Sequence, residues 1–215
     1  MGYPTSCSIC LDKKANAILG ELALSVKPFR PGDNPSIMLV GLNPTLKKKM
    51  KRVKTVLDLD NVEGNFYKFT VSDVLEPVGI ALEDVYATNL IKCTFRDEPR
   101  DISKDIRGSD EDGAVKQLLA PFFHHCKRYL MEELREVNPR LVIAFGNKTH
   151  QFIVEEFNLE AQGVKYKMKD AFGHVYRVSV LGRNVCYAPC IREAAKGLPV
   201  FQKSWQPFIR GLRES

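Results

Sequence analysis

The sequence predicts an α/β protein: a three-layer α/β/α sandwich with a mainly parallel central sheet of about four strands. Three observations predict it. Short, unbroken apolar runs bounded by glycine and proline read as strands buried on both faces. Longer segments with apolar residues at helical spacing separate those runs, as crossovers between parallel strands require. A chain of 215 residues, 44% of them hydrophobic, supplies one sizeable core and not two. A single domain over residues 1–215 is the expectation.

The first strand is read in "PSIMLVGLNPT", apolar from Ile37 to Val40 and stopped at Gly41 between Pro35 and Pro44. "NFYKFTVSDVLEPVGI" follows with Phe66, Phe69, Val74 and Val78 near a 3.6 period, ending or bending at Pro77. "DVYATNLIKC" is the second strand and its outgoing loop. Residues 94–113, "TFRDEPRDISKDIRGSDEDG", carry no core pattern and read as a surface insert, either a lid or a mobile excursion. "AVKQLLAPFFHHCKRYLMEELREVNP" sets Leu119, Phe122, Leu130 and Leu134 on one side of a helix, and "RLVIAFG" is the third strand. "THQFIVEEFN" and "LPVFQKSWQPFIRGL" are shorter helices around "RVSVLGRNVCYAP", which reads as two strands joined at Gly182. In such sheets ligands collect where parallel strands end, so the loops after the strands are the place to look.

Charge and cysteine usage narrow the function classes. The net charge is +6, and the pI near 9.0 favours a polyanionic partner. No apolar run approaches the roughly 18 residues of a membrane span, and the first residues lack a basic stretch followed by an apolar segment. The expectation is a cytoplasmic, soluble monomer without a membrane partner. In a reducing compartment the pair Cys7 and Cys10 points to a metal before a disulfide.

Three loops carry the polar chemistry. "GLNPTLKKKMKRVK" presents Asn43 beside a proline at the end of the first strand, and Lys47, Lys48, Lys49 and Lys51 would meet a phosphate arriving there. A solvated charged face is the plainer reading of that lysine run. "TNLIKC" places Asn89 and Cys93 after the second strand; an amide offers the complement of a pyrimidine's O4 and N3 edge, though an asparagine closing a strand is commonly a turn residue. "CYAPCIREAAKG" holds Cys186, Cys190, Arg192 and Lys196. Spacing permits zinc on Cys7, Cys10, Cys186 and Cys190, and equally permits a set containing Cys93 and Cys126.

Taken in chain order, "VGLNPT", "EDVYATNLIKC", "HHCKRYLMEELREVNPRLVIAFGNKTHQFI" and "YAPCIREAAKGLPVFQKSWQPFI" resemble the uracil-DNA glycosylase superfamily, closest to its iron-sulfur, family 4-like branch. The resemblance runs from Cys7 to about Leu212 and omits the polar insert. It implies a [4Fe-4S] cluster on Cys7, Cys10, Cys93 and Cys126, which leaves Cys186 and Cys190 as small buried apolar residues. It also implies base excision repair: a DNA glycosylase acting on uracil-containing DNA, single- or double-stranded, by base flipping and water attack.

The resemblance assigns the loops their work. Asn43 orients the water within a pocket that includes Gly41, Leu42 and Pro44. Asn89 reads the uracil edge, and Phe66, or alternatively Phe69, stacks on the flipped base. The third loop departs from the pattern, because Ala188 and Pro189 stand where active relatives carry histidine and proline. Losing one such donor costs about 10²–10³ in rate. Arg192 is the candidate replacement, as a cation facing the departing base, a wedge in the vacated stack or a phosphate contact, with Lys196 also facing DNA. His124 and His125 read as packing groups, His150 and His174 lie outside the matching loops, and Trp205 reads as helix docking. A non-catalytic DNA-binding protein and a redox-sensing factor are the alternatives to an enzyme.

Overall fold

A computed structural model describes residues 26–43, 55–57, 65–95 and 97–215. Its elements are β1 (Ile37–Gly41), α1 (Asn65–Lys68), β2 (Val85–Asn89), α2 (Pro99–Arg107), α3 (Asp112–Val137), β3 (Leu141–Phe145), α4 (Asn147–Glu156), α5 (Met168–Ala171), β4 (Tyr176–Val180), β5 (Arg183–Cys190) and α6 (Pro199–Arg213). The strands form one five-stranded sheet in the order β2-β1-β3-β5-β4. All neighbours are parallel except β4 and β5. The fifth strand belongs to the hairpin read at Gly182: Leu181 and Gly182 have φ of 51° and 77°, the pair of positive values that a two-residue turn between twisted strands needs.

Alternation along the strands builds two cores. Met38, Val40, Tyr86, Val142 and Tyr187 face α3 and α4, where Leu130, Leu134, Phe152 and Ile153 meet them. Ile37, Leu39, Ala87, Ile143 and Ala188 face the other layer, against Val74, Phe172, Phe208 and Leu212. This is the three-layer sandwich the apolar runs predict, and Trp205 docks α6 on Phe172 at 5.9 Å and Phe69 at 5.8 Å. α1 does not stop cleanly at Pro77. It widens into a π-helical stretch (Phe69–Leu75) and tightens into a 3-10 turn (Glu76–Val78) that Gly79 closes at φ 73°.

The polar insert is more ordered than its composition suggests. α2 runs through it, Phe95 and Ile102 are fully buried, and Ser103 Oγ donates to the Ser109 carbonyl at 2.7 Å. Of its two isoleucines only Ile102 is buried and anchors this helix, which is too sparse a signal for a periodicity argument. Among the described residues no helix is long and apolar enough to cross a membrane.

Candidate active site

Four residues share one level at the carboxyl edge of the sheet. Gly41 pairs with Asn89 across β1 and β2, and Phe145 pairs with Cys190 across β3 and β5. By strand alternation all four point toward the layer of α1 and α6. The edge is continued by the loops: Leu90 N–H donates to the Gly41 carbonyl and Ile91 N–H to the Leu42 carbonyl, both at 2.9 Å. These bonds hold the two outgoing turns together just past the strands, where backbone groups would otherwise lack partners.

Asn89 is 8% exposed and lies against Gly41, where any Cβ would overlap its Oδ1. Gly41 therefore serves by lacking a side chain. Phe66 is half-buried and meets the Phe145 ring edge-on at 5.5 Å. Phe69 is 3% exposed and packs between Trp205 at 5.8 Å and Phe145 at 6.4 Å, as a core residue does. Leu42 and Asn43 follow β1 directly, and Asn43 is engaged in contacts of its own. Pro44, Lys47, Lys48, Lys49 and Lys51 lie outside the described residues, as do Cys7 and Cys10.

Ala188 and Pro189 correct the reading of the third loop. Both belong to β5, with Ala188 fully buried opposite Ile143 and Pro189 opposite Ala144. Ala188 thus sits two residues, about 6.6 Å along a strand, below the level of Asn89 and Cys190. The loop proper begins after Cys190. There Arg192 packs over Gly146, whose φ is +90° and whose missing Cβ would lie 3.1 Å from Arg192 Cγ. The Arg192 side chain is 53% exposed, with Nη1 3.5 Å from Glu98 and Nη2 3.7 Å from Glu193. Lys196 is bound at 2.7 Å to Asp73 and lies over the Trp205 ring.

The cysteines divide by position. Cys93 and Cys126 are both buried, one in the turn after β2 and the other on α3, and they hydrogen-bond to each other. That bond holds the Cys126 thiol down at about 7 against the opposing effect of burial, helped by the Lys92 backbone N–H and the Lys92 and Arg128 charges. Thiolate character is what a metal or cluster ligand needs. Cys186 and Cys190 instead lie four apart on one straight strand, about 13 Å between their Cα atoms, too far for both to hold one zinc ion. Burial also pushes the Cys190 thiol well up. The zinc set containing them is ruled out by the strand. Among the described residues no three metal-ligating side chains gather.

Two further arrangements escaped the sequence reading. Phe145 closes the edge beside Phe66, yet in "RLVIAFG" it reads as one more core residue. Lys92 is fully buried in an ion pair with Glu133 at 2.6 Å. Burial lowers its pKa, and the Glu133 carboxylate opposes that shift. Its signal was available: Glu133 interrupts the apolar stripe of α3 between Leu130 and Leu134. His150, by contrast, is a structural group. Its Nε2 meets the Lys165 carbonyl at 2.8 Å and so carries the proton, its Nδ1 accepts from the Tyr187 hydroxyl at 2.9 Å, and burial holds its pKa down.

Comparison with known proteins agrees with this architecture. A sequence model of the uracil DNA glycosylase superfamily matches residues 29–205. The chain is 24% identical over 189 residues to a type-4 uracil-DNA glycosylase of Saccharolobus solfataricus, spanning 86% of this chain and 74% of that protein. It is 28% identical over 119 residues to a type-4 uracil-DNA glycosylase of Archaeoglobus fulgidus, spanning 54% of this chain and 47% of that one.

Proposed function

The chain belongs to the uracil DNA glycosylase superfamily, and from that premise we propose that it is a hydrolase that removes uracil, or a related deaminated base, from DNA. The observation that carries this reading is Asn89: a nearly buried amide at the carboxyl edge, seated on a glycine that leaves it room. A flipped uracil offers it the O4 acceptor and the N3–H donor. Phe66 stacks on the base, and Asn43 orients a water toward C1′. The water oxygen bonds to C1′ as the bond from C1′ to N1 breaks. The electron pair leaves on the base, which then takes up a proton, while the water's proton passes to solvent. The reaction needs neither a membrane nor a second copy of the chain.

The charge that builds on the departing base needs a donor, and the loop that follows β5, residues 191–198, holds no histidine to supply it. Arg192 fills this role through its guanidinium. Its weak tethering to Glu98 and Glu193, both beyond 3 Å, supports its freedom to turn inward. Lys47, Lys48, Lys49 and Lys51 bind the backbone phosphates, so neutralising all four lowers affinity and flattens its dependence on salt. A second reading, a DNA-binding protein without activity, is favoured by one observation, the absence of a histidine from the loop that follows β5. The test is strand cleavage by alkali after incubation of uracil-containing DNA with the protein. Cleavage supports the enzyme, and intact strands despite DNA binding support the second reading. Gly41→Ala is expected to lower base release at least about tenfold, because the added methyl must displace the Asn89 amide; a single-turnover assay checks it.

The pair Cys93 and Cys126 fits two of the four thiolates that a [4Fe-4S] cluster takes, with Cys7 and Cys10 as the others. Bound there, the cluster would tie the amino terminus to the turn after β2 and take no part at C1′. Cys126→Ala is expected to abolish absorption near about 400 nm and remove iron from the protein, whereas Cys186→Ala leaves both intact. Iron analysis of the two variants decides between them.

A further inference from the structure

The turn after β2 is fastened to α3 by a closed set of buried bonds that the excision chemistry does not use. Lys92 Nζ donates to Glu133 Oε2 and to Thr88 Oγ1, both at 2.6 Å. The Thr88 hydroxyl donates to Glu133 Oε1 at 3.0 Å, and the Tyr86 hydroxyl also bonds Glu133. The Lys92 and Glu133 side chains are 0% and 2% exposed. Every donor comes from β2 or its turn, and Glu133 of α3 accepts three of the four bonds.

Stability alone does not account for such a pair. Removing two charges from water consumes most of what their attraction returns, and apolar residues of the same volume often hold a core as well or better. Apolar contacts do not supply direction. Two short bonds to fixed atoms set the path of the peptide between Thr88 and Cys93, and Asn89 is the residue next to Thr88 on that path. Thr88 faces α3 while Asn89 faces the opposite layer, so Lys92 and Glu133 do not reach the base. They act on it through the backbone.

We propose that Lys92 and Glu133 are positioning residues, which fix the turn after β2 so that the Asn89 amide is held at the sheet edge in the orientation that reads the base. The proposal rests on the glycosylase reading of that edge. It separates this turn from one that is merely packed, because it predicts that stability and turnover can be pulled apart.

The experiment compares wild type, Glu133→Leu, Lys92→Met, the double variant Lys92→Met/Glu133→Leu, and Thr88→Val. Melting temperature, duplex affinity and single-turnover release of uracil are measured for each. Both single charge variants melt lower than wild type. The double variant melts close to wild type and binds duplex DNA equally well, yet releases uracil at least about tenfold more slowly, since a misplaced reading group costs rate and not fold. Thr88→Val keeps the ion pair and the shape of the core, so it folds, and its release rate falls with duplex affinity unchanged. A double variant that recovers both melting temperature and rate overturns the proposal. So does Thr88→Val at the wild-type rate, which remains decisive if the double variant fails to fold. Absence of release by wild type overturns the glycosylase reading, and the proposal falls with it.

Discussion

Asn89→Ala is expected to lower single-turnover base release by about 10²–10³ while duplex affinity stays near that of wild type. The two effects separate because they arise from different parts of the molecule. Affinity for DNA comes mostly from cations meeting phosphates, which an uncharged, nearly buried amide does not touch. Rate depends on holding the flipped base in one pose while charge develops on it. Removing the amide leaves the base edge without the partners it met in the wild type, the costly case for a polar group. Asn89→Asp sharpens the prediction. It keeps the shape but replaces donors with acceptors opposite uracil O4, and it is expected to lose at least as much rate as alanine. Equal rates in wild type and Asn89→Ala would remove Asn89 from the site.

Glu133→Leu alone is expected to destabilise the fold by about 3–5 kcal/mol, because it leaves the Lys92 ammonium buried without its carboxylate. For a chain of this length that corresponds to a melting temperature lower by roughly 6–20 °C, at about 2–4 °C per kcal/mol. Burial already lowers the Lys92 pKa, and without Glu133 nothing of comparable strength opposes it. The lysine then sheds its proton or forces the turn open toward water. Thermal unfolding followed by circular dichroism checks the shift. A change within about 1 kcal/mol would mean that the turn already gives Lys92 another route to solvent.

The sandwich was legible in the sequence because strands buried on both faces leave unbroken apolar runs, and "IMLV" and "LVIAF" are such runs. Asn89 was legible too, standing where an apolar strand gives way to a loop. The placement of Ala188 and Pro189 was not. Proline commonly ends a strand, so "CYAP" read as strand followed by loop. β5 keeps Pro189 because β4 begins opposite Tyr187, leaving that flank of β5 beyond Tyr187 without a neighbour that needs the missing N–H. The insert misled for a related reason, since a single buried isoleucine at Ile102 anchors α2 among charged residues. Lys92 and Glu133 are 41 residues apart, and only the packing of α3 on β2 brings them together. Their residue types alone marked each as out of place.

The most direct test of the central claim is the release of free uracil from a uracil-containing oligonucleotide, single-stranded and opposite guanine, quantified together with the abasic sites formed. Anaerobically prepared wild-type protein is predicted to yield uracil and abasic sites in equal amounts, and Asn89→Ala neither. Oligonucleotide bound by the wild-type protein with no uracil released would contradict the assignment of this edge to base excision.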